Sequence, residues 1–284
     1  MKGRNTMPQF PYGFVQGGAV VIKMIKLKTS YTFSQVPYLT YDALEEYAGE
    51  LMRDFALKHA PELLNKPTPV NVDCFLEYYL HLTVDFRRIC YNKKILGLTA
   101  FNSGTVEIMD DDTECIIQLP VTAGTVIIDS SLVPKRNEPR RRFTMTHEGC
   151  HWLIHRKAFS GDNPLGLAGV YENQFIAAKE GHVDYSRSQK ERNDIERMER
   201  QADFLASAIL MPKNTLRMAF RDYFLSYNDK PRRIIRGASP IDNCYAEQLP
   251  KYIAKVFNVS KRAASIRLEK LTAIVNQGWG QGLR

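Results

Sequence analysis

Between residues 40 and 59 the apolar positions Leu44, Tyr47, Ala48, Leu51 and Phe55 recur at helical spacing. That spacing predicts an amphipathic helix from Thr40 to about His59. The segment Asn71 to Leu82 (NVDCFLEYYLHL) predicts a second helix, capped by Asn71 or Asp73. The period then changes. Leu82 to Arg87, Ile95 to Phe101, Thr105 to Met109, Glu114 to Leu119 and Thr125 to Ile128 are short and rich in Val, Ile and Thr. Turn residues separate them, including Gly104 and the run Asp110-Asp111-Asp112. This pattern predicts a small, mostly antiparallel sheet. A helix follows from Asn137 or Glu138, with Pro139 in its first turn, to about Phe159. The strongest helical pattern runs from about Ser188 to Met211. Its apolar stripe is Ile195, Met198, Ala202, Leu205, Ile209 and Leu210, and Pro212 stops it. Near the end, Tyr252 to Phe257, a turn at Asn258-Val259 and a helix capped by Ser260 read as a helix-turn-helix unit. Ile253, Ala254, Phe257, Val259 and Ala264 fit its buried positions.

The fold class is therefore α+β, with the sheet packed on two of the helices and a helical unit at the C-terminal end. Residues 1–35, rich in Gly, Pro and Lys, read as a tail or edge segment, 36–225 as the main domain, and 226–284 as the helical unit. A chain of 284 residues can bury a sizeable core. Five cysteines, an odd number with no C-x-x-C pair, favour reduced thiols over a disulfide framework. The apolar run Gly17 to Ile22 is too short for a signal peptide, and no run nears the ~20 residues of a membrane span. A soluble, cytoplasmic protein is expected, with no membrane partner. Lys and Arg number 39 against 31 Asp and Glu, a net charge of +8. That excess is compatible with nucleic acid or an acidic protein surface, and equally with a solvated basic surface.

The chemistry is concentrated in His147-Glu148-Gly149-Cys150-His151. Residues four apart on a helix lie one turn up on the same face, so His147 and His151 can reach one metal ion. Glu148, about 100° round the helix, is placed to act on water at that metal. Two imidazoles with a carboxylate base beside them are what a zinc hydrolase needs. Phe143, Cys150 and Ile154 form an adjacent buried stripe, which makes Cys150 a packing residue. His155 shares the face but lies about 12 Å along the axis from His147, too far to hold the same ion. It is expected to support a ligand or to face solvent.

A catalytic zinc site needs a third protein ligand. The helix of residues 188–211 carries Glu196, Glu199 and Asp203 beside its apolar stripe. Glu199 and Asp203 form E-x-x-x-D. The glutamate can complete the coordination, and the aspartate, one turn on, can accept a hydrogen bond from the second nitrogen of a ligand histidine. Glu196, His182 and Asp203 itself are the alternative ligands.

Two stretches together resemble the ImmA/IrrE family of metallopeptidases. They are R-F-T-M-T-H-E-G-C-H over residues 142–151 and E-R-Q-A-D-F-L-A-S-A-I-L-M-P over residues 199–212. The resemblance extends over most of residues 70–275. It departs from the family pattern at Cys150, where glycine is usual, and in the long stretch from about Gly161 to Lys190. It implies one Zn2+ per chain, held by His147, His151 and Glu199, with Glu148 as general base and Asp203 supporting a ligand histidine. It also implies a protein substrate: a helix-turn-helix repressor whose cleavage relieves repression in a mobile-element or stress-response setting in bacteria. An oxyanion donor is expected from Tyr171, His182 or Tyr185. The alternative is a non-proteolytic regulator or toxin–antitoxin component that binds DNA or a repressor, with zinc structural. Lys261, Arg262 and Arg267 are its candidate DNA or partner contacts, although a C-terminal unit that docks on the catalytic domain or grips the repressor is preferred.

Overall fold

The structure, a computed structural model, describes residues 29–32, 35–91, 95–159, 175–179, 194–230 and 232–276. Helix α1 (Tyr41–His59) starts where the Thr40 side chain accepts from the Ala43 N–H, and it buries Leu44, Leu51 and Phe55. The second predicted helix is cut down to one π-helical turn, Cys74–Tyr79. Asn71 caps it by accepting from the Cys74 N–H at 3.0 Å. The i→i+5 bond from the Leu80 N–H to the Phe75 carbonyl, 3.0 Å, marks the widened turn. Phe75, Leu76 and Tyr79 all turn inward there, and Phe75 and Tyr79 pack edge-on to Phe55.

The main sheet has the order β1–β5–β2–β6, built from β1 (Thr83–Arg87), β2 (Ile95–Ala100), β5 (Thr125–Asp129) and β6 (Phe175–Lys179). Only the β1–β5 pair is parallel. β3 (Gly104–Met109) and β4 (Ile116–Val121) form a separate hairpin. Side chains alternate across β5 as a strand requires. Val126 and Ile128 join the main core, while Ile127 packs with Leu98, Val106 and Ile108 under the hairpin. All five β5 residues are buried and both its edges are paired. It therefore has no free edge; among the described residues the edges of this sheet are β1 and β6.

Helix α2 (Glu138–Ile154) packs against β2 and β5 on one side and α3 (Asp194–Leu210) on the other. Asn137 makes no capping bond with its side chain, which instead donates to the Ser131 carbonyl at 2.7 Å. α2 ends earlier than its pattern predicts. His155 leaves the helix at φ −115°, and Arg156–Phe159 continue as a 3₁₀ turn. After α3 come α4 (Lys213–Leu225), β7 (Ile234–Arg236), α5 (Pro240–Phe257), α6 (Lys261–Lys270) and β8 (Ile274–Asn276), with β7 and β8 paired in parallel. Asn258 closes α5 in the left-handed conformation, φ 50° and ψ 54°, and the Ser260 hydroxyl caps α6.

The α5–α6 unit shares one continuous core with the rest: Leu249, Ile253, Phe257 and Leu268 cluster with Leu205 and Phe224. Two arginines tie it down. Arg142 on α2 donates to the Asn258 carbonyl at 3.0 Å, and Arg267 on α6 forms a bidentate pair with Glu45 on α1 at 2.6 and 2.7 Å. No helix among the described residues is long and apolar enough to cross a membrane.

Candidate metal centre

α2 and α3 meet along their small and polar faces, and this contact builds the site. His147 and His151, one turn apart on α2, point their Nε2 atoms at one another, 2.9 Å apart. Glu199 on α3 faces both: its Oε2 lies 3.3 Å from His147 Nε2 and its Oε1 lies 3.6 Å from His151 Nε2. The three donor atoms fall within 4.8 Å of one another. Of the four carboxylate and histidine candidates for the third ligand position, Glu199 alone joins the pair in a metal-holding group among the described residues. Asp203 is engaged elsewhere, its Oδ1 2.8 Å from His147 Nδ1. Glu196 lies outside the group, and His182 lies outside the described residues, as do Tyr171 and Tyr185.

These residues fit a zinc ion. Two imidazole nitrogens and one carboxylate oxygen are the donor types that zinc takes in catalytic sites. Glu199 Oε1 is buried and accepts no hydrogen bond, an uncompensated cost unless a cation is present. The electrostatics also suit a cation. Burial disfavours the imidazolium of His147, but the carboxylates of Asp203 and Glu199 outweigh it and raise that histidine well above its usual range. Burial, with His147 and His155 alongside, pushes His151 well below its usual range, so its ring stays neutral. Burial raises the Cys150 thiol well above its usual range. Cys150 is wholly buried in the core and stays a thiol, in keeping with a packing role.

The Glu148 carboxylate lies against β2. The Thr99 hydroxyl lies 2.6 Å from its Oε2 and 3.1 Å from its backbone carbonyl. Gly97 passes so close that an added Cβ would stand 2.7 Å from Glu148 Oε1. Thr99 and Gly97 therefore shape the cradle of the carboxylate, and neither carries a sequence motif. The one hint is a glycine inside a strand, which often marks a close approach.

His155 does not face solvent; it is turned inward against His151. It is fully buried; its Nδ1 lies 2.9 Å from His151 Nδ1, and its Nε2 lies 3.0 Å from Gln201 Oε1. Burial lowers it to about 3, so it is neutral. Gln201, two residues after Glu199, was not apparent from the sequence, where it reads as one more polar position beside the stripe. Its Nε2 donates to the Pro37 carbonyl at 2.7 Å.

The three basic residues of α6 part company. Arg267 has no exposed surface and cannot touch a nucleic acid or a partner, so this expectation is corrected. Its pattern position is on the inner face of α6, where it satisfies Glu45 and the Met211 carbonyl at the end of α3. Lys261 is exposed and paired with Glu247. Arg262 lines a largely apolar cleft of about 330 Å³ between α2, α3 and α6, with Phe143, Asp203, Phe204 and Ile266 among its walls.

Residues 131–269 match the Peptidase M78 family model, an IrrE N-terminal-like domain. The match agrees with the resemblance to the ImmA/IrrE family and takes in α2, α3 and the C-terminal helices, while β1–β5 lie before it. No curated protein matches the chain.

Proposed function

Residues 131–269 form an IrrE N-terminal-like domain of the Peptidase M78 family, and from that premise we propose that the chain is a zinc-dependent endopeptidase. One observation carries the reading: His147, His151 and Glu199 present three metal-ligand atoms within 4.8 Å, with Glu148 next in sequence to one of them. A base has no use in a purely structural zinc site.

Zinc, when bound, lowers the pKa of water to about 7 and polarises the scissile carbonyl. His147, His151 and Glu199 would hold it. Asp203 accepts from His147 Nδ1–H and keeps that ring turned inward. Glu148 takes the proton of the attacking water and passes it to the leaving amine. The Thr99 hydroxyl holds Glu148 Oε2 at 2.6 Å and so fixes the carboxylate's orientation. A donor to the developing oxyanion is also needed, and Tyr171, His182 and Tyr185 are proposed for it from their place between the two motifs.

The substrate we propose is a helix-turn-helix repressor, cut to relieve repression. The family resemblance supports this choice. The cleft beside Asp203, with apolar walls and Arg262 among its lining, offers a recess for a substrate side chain. The DNA-binding alternative loses one of its three contacts, because Arg267 is buried.

The test pairs elemental mass spectrometry with cleavage of a panel of helix-turn-helix repressors. Wild type should carry about one zinc and cut at least one repressor. Glu199→Ala should lose the metal, and Glu148→Gln should keep it and cut nothing. Cleavage by zinc-loaded Glu148→Gln would overturn the mechanism.

A further inference from the structure

Neutral imidazole has one N–H and one bare nitrogen, and only the bare one can bind a metal. Two hydrogen-bonded imidazole nitrogens do not by themselves reveal which carries the proton. The Nδ1–Nδ1 contact of 2.9 Å between His151 and His155 is such a case, and its direction has to be read from the end of the chain of bonds.

That end is Gln201. The Pro37 carbonyl oxygen, 2.7 Å from the Gln201 side-chain nitrogen, can only accept. The amide nitrogen must face Pro37, since the flipped amide would set two oxygens against each other. Gln201 Oε1 therefore faces His155 Nε2, 3.0 Å away. An amide oxygen also only accepts, so His155 carries its hydrogen on Nε2 and its Nδ1 is bare. The bare Nδ1 must accept from His151, whose hydrogen is thus on Nδ1. His151 Nε2 is left bare, facing His147 and Glu199.

We propose that Gln201, oriented by the Pro37 carbonyl, is a positioning residue that acts through His155 to keep the proton of His151 on Nδ1 and its Nε2 free for the metal. His151 then has the counterpart of what Asp203 provides for His147, but built from neutral groups. A second carboxylate would add negative charge to a fully buried place, whereas a histidine and an amide deliver the same polarity without it.

The carbonyl that orients this relay comes from a segment far outside the matched domain. Val36, beside Pro37, is fully buried against Met198 of α3 and Phe101. The Thr32 hydroxyl donates to Asp194 at 2.9 Å, and the Arg197 guanidinium sits 4.6 Å over the Tyr38 ring. These contacts lay residues 31–32 and 35–38 along the start of α3. The N-terminal segment is thereby part of the metal site, three hydrogen bonds from the ion.

The inference rests on the peptidase reading for the metal but not for the proton positions, and the two are tested separately. Long-range proton–nitrogen NMR on the wild-type chain, metal-free and zinc-loaded, reads each histidine's tautomer. The expected result is His155 with hydrogen on Nε2 and His151 with hydrogen on Nδ1 in both forms. His151 carrying its hydrogen on Nε2 in the metal-free chain would overturn the inference, even if the peptidase reading stood. Chelator competition then compares zinc affinity in wild type and Gln201→Met, which keeps length and removes both polar groups. The expected loss is about 10- to 100-fold, the usual effect of removing a group that orients a metal ligand. Unchanged zinc affinity in a Gln201→Met chain whose metal-free melting matches wild type would also overturn it. A wild-type chain that binds no zinc sinks the peptidase reading, and the tautomers still decide the relay.

Discussion

Arg267→Met replaces the one large cation that α6 buries completely. Four hydrogen bonds disappear: two to the Glu45 carboxylate at 2.6 and 2.7 Å, and two to the Met211 carbonyl at 3.3 and 3.2 Å. Methionine fills a similar volume, so the packing loss is small. What remains is a stranded carboxylate. Removing one partner of a buried ion pair costs about 3–5 kcal/mol. The Glu45 side chain is 13% exposed, so water relieves part of its charge and the low end of that range applies. The Met211 carbonyl, left unpaired, adds about 1 kcal/mol. The expected total is about 4 kcal/mol. Adding Glu45→Met removes the stranded charge and should restore all but about 1 kcal/mol, because a buried pair replaced by apolar groups is near neutral. Urea unfolding at fixed zinc loading measures both, read as a shift in midpoint at unchanged slope. A single variant within 1 kcal/mol of wild type would refute the argument that Arg267 is a structural tie between α1, α3 and α6.

Gly97→Ala places a methyl group 2.7 Å from Glu148 Oε1, where ordinary contact begins near 3.4 Å, so the carboxylate must retreat by about 0.7 Å. A shift of that order is expected to lower kcat/KM by up to ~10²-fold. Zinc content should stay at the wild-type level, since His147, His151 and Glu199 meet between α2 and α3 and not at β2; wild-type kcat/KM would exclude the close fit. Zinc uptake should release about one proton at pH 7, because Asp203 and Glu199 hold His147 protonated in the metal-free chain and the metal must displace that proton. Affinity therefore rises with pH until His147 deprotonates unaided. Calorimetry in two buffers of different ionisation enthalpy counts the proton, and a pH-independent affinity from pH 6 to 8 would contradict the assignment.

The elements with long or regular patterns were legible from the chain. α1, the five strands from Thr83 to Asp129, and the α3 stripe through Leu205 and Ile209 lie where spacing alone put them. Residues 71–82 carry apolar residues enough for a helix, and Phe75, Leu76 and Tyr79 do turn inward, but from a π turn that their spacing does not distinguish from an α-helix. α2 stops at Ile154 because His155 is drawn inward to His151 and Gln201. β5 has the composition of any strand; only the pairing with β1 and β2 made it central and took away its edge.

The same division holds at the site. By itself the sequence determined the pair His147 and His151 with Glu148, because a helix brings residues four apart onto one face whatever surrounds it. It also narrowed the third ligand to Glu199, Glu196 or Asp203 on one predicted helix, or His182 before it. Gathering Glu199 with the two histidines, apart from Glu196 and Asp203, took the rotation of α3 against α2, which sets one carboxylate on the Nε2 atoms and another on His147 Nδ1. The supports came from farther still: Thr99 lies 49 residues from Glu148, Gln201 lies 46 from His155, and Pro37 lies 164 from Gln201. Local periodicity reports which face of an element is buried. Which atom meets which across a core is decided by packing, and only the tertiary structure contains it.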